Sequence, residues 1–172
     1  MSEHPLRDFF DKWSDTFTYD PSEPSTSEFR RLCREQRWRG ENPAKTEAES
    51  QFRYAITMQF NRNYGTDVNS LESWQRLCEN VRINPIPDNV KEARQKVKQT
   101  HVNLVDLTDG YDGGREIIIF PTEEALAAYT RSNGRFFPKE EAYAGGVLKY
   151  LLRHILNPYL GGGRGRGRGN GV

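Results

Sequence analysis

Asn69-Ser-Leu-Glu-Ser-Trp-Gln-Arg-Leu-Cys-Glu-Asn-Val81 carries its apolar residues, Leu71, Trp74, Leu77, Cys78 and Val81, at intervals of three and four. That spacing lines one face of an α-helix. Asn69-Ser-Leu-Glu72 ahead of it is an N-terminal signal, because short polar side chains satisfy the free backbone N–H groups of a first turn. The same pattern extends in both directions. Toward the N-terminus, Pro43 to about Asn63 reads as a helix with Phe52, Ala55, Ile56 and Phe60 inward and Gly65 as its C-terminal cap. Before it, Ser25-Thr-Ser-Glu28 has the form of a capping box opening a helix to about Trp38, with Phe29, Leu32 and Cys33 inward. Leu6 to Trp13 is a shorter helix, ended by Asp20-Pro-Ser-Glu-Pro24.

Toward the C-terminus, Asn84-Pro-Ile-Pro87 breaks the chain and a helix runs from Pro87 to Thr100 with Val90, Ala93 and Val97 inward. Val102 to Leu107 and Arg115 to Phe120 are rich in β-formers and flank Gly110, Gly113 and Gly114, which predicts a two-stranded hairpin. Pro121-Thr-Glu-Glu124 starts a helix that Asn133-Gly134 stops. A last helix from Pro138 to Leu156 turns Ala144, Val147, Leu148, Leu151 and Ile155 inward. Within it, Gly145-Gly146 marks a kink or a close approach to another element. The expected fold is mainly α. It is a single helical domain of six to seven helices with a small β-hairpin over residues 1–160, followed by a disordered Gly/Arg-rich tail over 161–172.

Phe29-Arg-Arg-Leu-Cys33 and Trp74-Gln-Arg-Leu-Cys78 align at a constant offset, and each precedes an Asn-Pro break and another helix. A degenerate helix-hairpin repeat, 25–64 and 69–101, and chance helical patterning both account for this.

The 172 residues include 20 aromatics, too many for a disordered chain, while charged residues make up 28%. Net charge is +1, but the tail holds Arg164, Arg166 and Arg168; the other 22 basic residues face 24 acidic ones. The body therefore lacks the overall basic excess of a domain that wraps duplex nucleic acid. Met1 to Pro5 is polar with no apolar run behind it, and no stretch approaches a membrane span, so the chain reads as cytoplasmic or nuclear with reduced thiols.

Gly161 to Gly171 separates its three arginines by glycine. Such arginines contact phosphates and stack on unpaired bases without sequence preference. The composition resembles the RGG/RG segments of RNA-associated proteins, which implies RNA contact and arginine methylation; a solubilising tail has the same composition. Arg30, Arg34 and Arg37 share a helix face opposite Phe29, Leu32 and Cys33, and Arg39 flanks Trp38, so this is a candidate basic patch or an ordinary solvated face. Lys91, Arg94 and Lys98 repeat the arrangement. Cys33 and Cys78 lie on apolar stripes without CxxC or Cys/His spacing, and read as core thiols rather than zinc ligands. The histidines lack metal-ligand spacing; a His101/Asp106 pair in a cleft is the one arrangement that would suit an enzyme. No catalytic, cofactor-binding or metal-binding residues are expected.

Several stretches taken together, Phe17-Thr-Tyr-Asp-Pro21, Phe60 to Asp67, Trp74 to Cys78, His101 to Leu107 and Phe136 to Ala144, resemble a widespread family of small fungal proteins of uncharacterised function. The resemblance covers about residues 9–156. It implies a fungal source and one domain, and carries no activity or site residues. The reading that results is a non-enzymatic protein contacting RNA weakly through Arg164, Arg166 and Arg168, with a protein partner engaging the body. The alternative is a protein–protein interaction or scaffold module whose tail is incidental.

Overall fold

Local capping chemistry sets most of the helix ends. The computed structural model of the chain describes residues 2–139 and 143–154. Arg164, Arg166, Arg168 and the rest of the Gly/Arg stretch lie outside the described residues, as does the predicted end of the last helix. Helix α1 spans Pro5–Asp11, α2 Ser25–Glu35, α3 Pro43–Tyr64, α4 Leu71–Asn80 and α5 Val90–Lys98. Strand β1, His101–Val102, leads into α6, Leu104–Asp109. Strand β2, Ile119–Phe120, precedes α7, Glu123–Asn133, and α8 is Gly146–His154. The chain is mainly helical, with eight α-helices and one two-stranded antiparallel sheet among the described residues.

The side chains of Asn42, Ser70, Asn89 and Thr122 each accept a backbone N–H in the first turn of the helix that follows. Gly65 (φ 87°) and Gly134 (φ 60°) end α3 and α7 in conformations that a side chain resists. Two further ends use arginine where glycine is usual. Arg37 (φ 58°) and Arg82 (φ 59°) follow α2 and α4. In each case the next N–H reaches back to a cysteine carbonyl, Trp38 to Cys33 at 3.0 Å and Ile83 to Cys78 at 2.9 Å. The Leu-Cys similarity thus coincides with a shared helix-ending motif, while the helices that follow differ, 22 residues in α3 against 9 in α5.

The buried residues form one apolar cluster drawing on all eight helices. Trp74, Tyr64, Phe10 and Phe60 are its largest fully enclosed side chains. Their polar atoms are satisfied: Trp74 Nε1 donates to Val68 O at 2.8 Å and Tyr64 Oη to Leu107 O at 2.6 Å. Phe9, Phe29 and Phe52 pack α1, α2 and α3 together, with Phe29 stacked on Phe52 at 4.7 Å between ring centres.

Four expectations are corrected. Residues 104–107 are helical, so the hairpin shrinks to His101–Val102 paired with Ile119–Phe120. The cause is Asn103, whose Oδ1 accepts the N–H groups of Val105 and Asp106 at 2.9 and 3.2 Å and overrides the β-preference of the valines. The capping box at Ser25–Glu28 does not form. Ser25 N and Oγ both donate to Asp109 Oδ2, at 2.9 and 3.1 Å, and Glu28 Oε2 accepts Asp20 N at 2.8 Å. A carboxylate from α6 therefore caps α2 from across the fold. The last helix begins at Gly146 rather than Pro138, because two donors are used elsewhere: Gly145 N bonds Asn61 Oδ1 at 3.1 Å and Gly146 N bonds Thr66 O at 2.7 Å. Cys33, finally, is half-buried rather than enclosed, while Cys78 is fully buried.

Candidate nucleic-acid interface

Helix α2, the connection that follows it and the start of α3 line an open groove of about 680 Å³. Phe29, Cys33 and Trp38 form its apolar wall, and Arg34, Arg37, Arg39 and Lys45 bring four cations to it. Both rings are braced from behind, Phe29 by stacking on Phe52 and Trp38 by an edge contact with Trp13 at 5.9 Å. Arg34, Arg37 and Arg39 are exposed and form no ion pair or side-chain hydrogen bond among the described residues. Glu49 is the one carboxylate in the described lining, 4.0 Å from Lys45. Desolvation raises the pKa of the Cys33 thiol, so it stays protonated and serves as floor rather than nucleophile.

Of the predicted patch, Arg34 and Arg37 reach the groove free, and Arg30 lines it but is committed. Its guanidinium donates to Asn133 O at 3.0 Å and Gly134 O at 3.2 Å, capping the C-terminus of α7. Lys45, which belongs to α3, completes the groove; nothing in the local sequence of α2 signals it. The second basic face does not gather in this way: Arg94 lies over the Tyr150 ring at 5.3 Å.

The His101/Asp106 pair does not form. His101 lies in β1 opposite Phe120, while the buried Asp106 bonds Tyr129 Oη at 2.6 Å and Arg135 Nη1 at 2.9 Å. Arg135 Nη1 also contacts Tyr129 Oη. Burial raises the Asp106 pKa, and Arg135 and Arg115 pull it back. Asp109 is raised further, to about 6, chiefly by desolvation against the two Ser25 hydrogen bonds. Both carboxylates are tied into the junctions of α6 with its neighbours, which is a structural use. Burial lifts the Cys78 thiol to about 11, consistent with a core position.

Among the described residues, no group of three or more His, Cys, Asp and Glu side chains is placed to hold a metal, and no helix is long and apolar enough to cross a membrane. Comparison of the chain with protein-family models, with curated proteins and with solved structures finds no match.

Proposed function

We propose that this is a non-enzymatic RNA-binding protein that holds a short single-stranded segment in the α2–α3 groove. Arg164, Arg166 and Arg168 then add sequence-independent phosphate contacts. The observation that supports this reading is the convergence of Arg34, Arg37, Arg39 and Lys45 beside Phe29 and Trp38. Cations that track a backbone, next to rings on which bases stack, are the two components of single-strand binding. Arginine suits the role because its planar guanidinium bonds phosphate bidentately and stacks on bases. Duplex binding fits less well, since the body carries no overall basic excess.

A salt series with and without residues 161–172 tests the proposal. Each phosphate contact to a single strand contributes about −0.7 to the slope of log K against log salt. Four groove cations and three tail arginines give a slope of about −5, and tail deletion brings it to about −3 with binding retained. Absence of binding to any single-stranded RNA sinks the proposal. It would favour the second reading, a protein interaction module, for which the exposed Tyr54–Tyr143 ring pair and exposed Phe136 are the supporting features.

A further inference from the structure

Val102, Leu104, Leu126, Ala127 and Phe137 wall a cavity of about 280 Å³ between the β1–α6 junction and α7. It lies apart from the α2–α3 groove and has no lining residue in common with it. The rest of its lining is Asn103, Thr130, Arg131, Arg135, Lys139 and exposed Phe136, so among the described residues the polar part contains three cations and no carboxylate.

The hydrogen-bonding capacity of Asn103 is already used. Its Nδ2 donates to Thr130 Oγ1 at 3.0 Å and Arg135 O at 2.9 Å, and its Oδ1 caps α6. Arg135 differs. Its Nη1 faces Asp106 at 2.9 Å, but its Nε is buried and has no hydrogen-bond partner among the described residues. A buried cationic donor without a partner is costly, and such atoms are rare in folded proteins. An acceptor delivered through the cavity would satisfy it.

We propose that this cavity binds a small apolar monocarboxylate, with the hydrocarbon body among Val102, Leu104, Leu126 and Phe137 and the carboxylate accepting from Arg135 Nε. Arg131 and Lys139 favour the anion electrostatically. A dry apolar cavity of about 150 Å³ holds one benzene ring, so a volume near twice that takes an acid of roughly eight carbons. Arg135 then serves two carboxylates, Asp106 on one edge of its guanidinium and the ligand on the other, a geometry lysine cannot reproduce.

The test is titration calorimetry of the full chain with octanoate and, as a neutral comparison of the same length, 1-octanol. Octanoate is expected to bind saturably at one site, and octanol at least tenfold more weakly. Two variants address the site from different sides. Ala127→Phe fills the cavity without touching a charge, and Arg135→Lys keeps a cation opposite Asp106 while removing Nε. Each is expected to weaken octanoate binding tenfold or more, and either one that folds suffices, as judged by its thermal melt. Octanoate binding that does not saturate, octanol binding as tightly as octanoate, or folded variants that bind like the wild type would each overturn the proposal.

Discussion

Asp109→Asn should make the protein more stable at neutral pH, and the gain should vanish in acid. Asp109 ends α6 and caps α2 through Ser25 N and Oγ, at 2.9 and 3.1 Å. Desolvation outweighs those two bonds and the nearby Arg115, with Asp106 adding repulsion, and the carboxyl titrates at about 6 instead of 3.8. Because the folded pKa lies above the unfolded one, the folded state holds its proton more tightly. The stability contributed is fully present below about pH 4 and is lost as pH rises through about 6. At about 1.4 kcal/mol per pH unit, the displacement is worth roughly 2–3 kcal/mol. Asparagine keeps an acceptor for Ser25 without a charge to desolvate. The stability of Asp109→Asn minus that of the wild type should therefore rise by about 2–3 kcal/mol between pH 4 and pH 7.5. Urea denaturation at a series of pH values measures it, and taking the difference cancels titration of the other carboxylates. A difference that stays flat with pH, or falls, refutes the claim that burial dominates at this site.

Three other perturbations test the packing. Arg135→Leu leaves the Asp106 carboxylate, 3% exposed on its side chain, without its cation, at a cost of about 3–5 kcal/mol at pH 7.5 that shrinks as the pH is lowered. Adding Asp106→Asn should recover much of that loss in denaturant melts, and failure to recover would mean Arg135 acts through something other than this pair. Gly145→Ala would set a Cβ 2.5 Å from Thr66 Cγ2 and 2.9 Å from Thr66 Cα, so a loss of about 1–3 kcal/mol is expected by chemical denaturation. Arg82→Gly removes a side chain from a left-handed backbone position (φ 59°) and should raise stability by about 0.5–1 kcal/mol, readable as a higher thermal midpoint.

What could be read from the sequence was whatever its neighbours in the chain decide. Both ends of α3 and α7 and the start of α4 follow from Asn42, Ser70, Thr122, Gly65 and Gly134, all within a turn of the helix they bound. The Gly145-Gly146 pair, expected inside the last helix, stands at its start instead, and its close approach is made on Thr66. What escaped depends on distant partners. Ser25 and Glu28 are suited to cap each other, but Asp109, 84 positions away from Ser25, takes the serine. The Val102–Leu107 run has strand composition, and one side chain, Asn103, turns its last four residues into a buried helix. At the candidate interface, Arg34, Arg37 and the Arg39–Trp38 pair were visible as a local cluster. The commitment of Arg30 to the end of α7 and the arrival of Lys45 from α3 are tertiary facts that no spacing in α2 encodes. The partnership of Asp106 with Arg135 rather than His101 is likewise set by how α7 packs on the sheet.

The groove's role in RNA binding is tested most directly by reversing its charge while leaving the tail intact. Fluorescence anisotropy with a labelled single-stranded RNA of about 12 nucleotides, at low salt, compares the wild type with Arg34→Glu/Arg37→Glu/Arg39→Glu. These three side chains are exposed and carry no interaction among the described residues, so the fold should survive, as a thermal melt would verify. Loss of three phosphate contacts and their reversal to repulsion should weaken binding by at least about tenfold. A folded variant that binds within about twofold of the wild type would contradict the account and place the contact outside the groove.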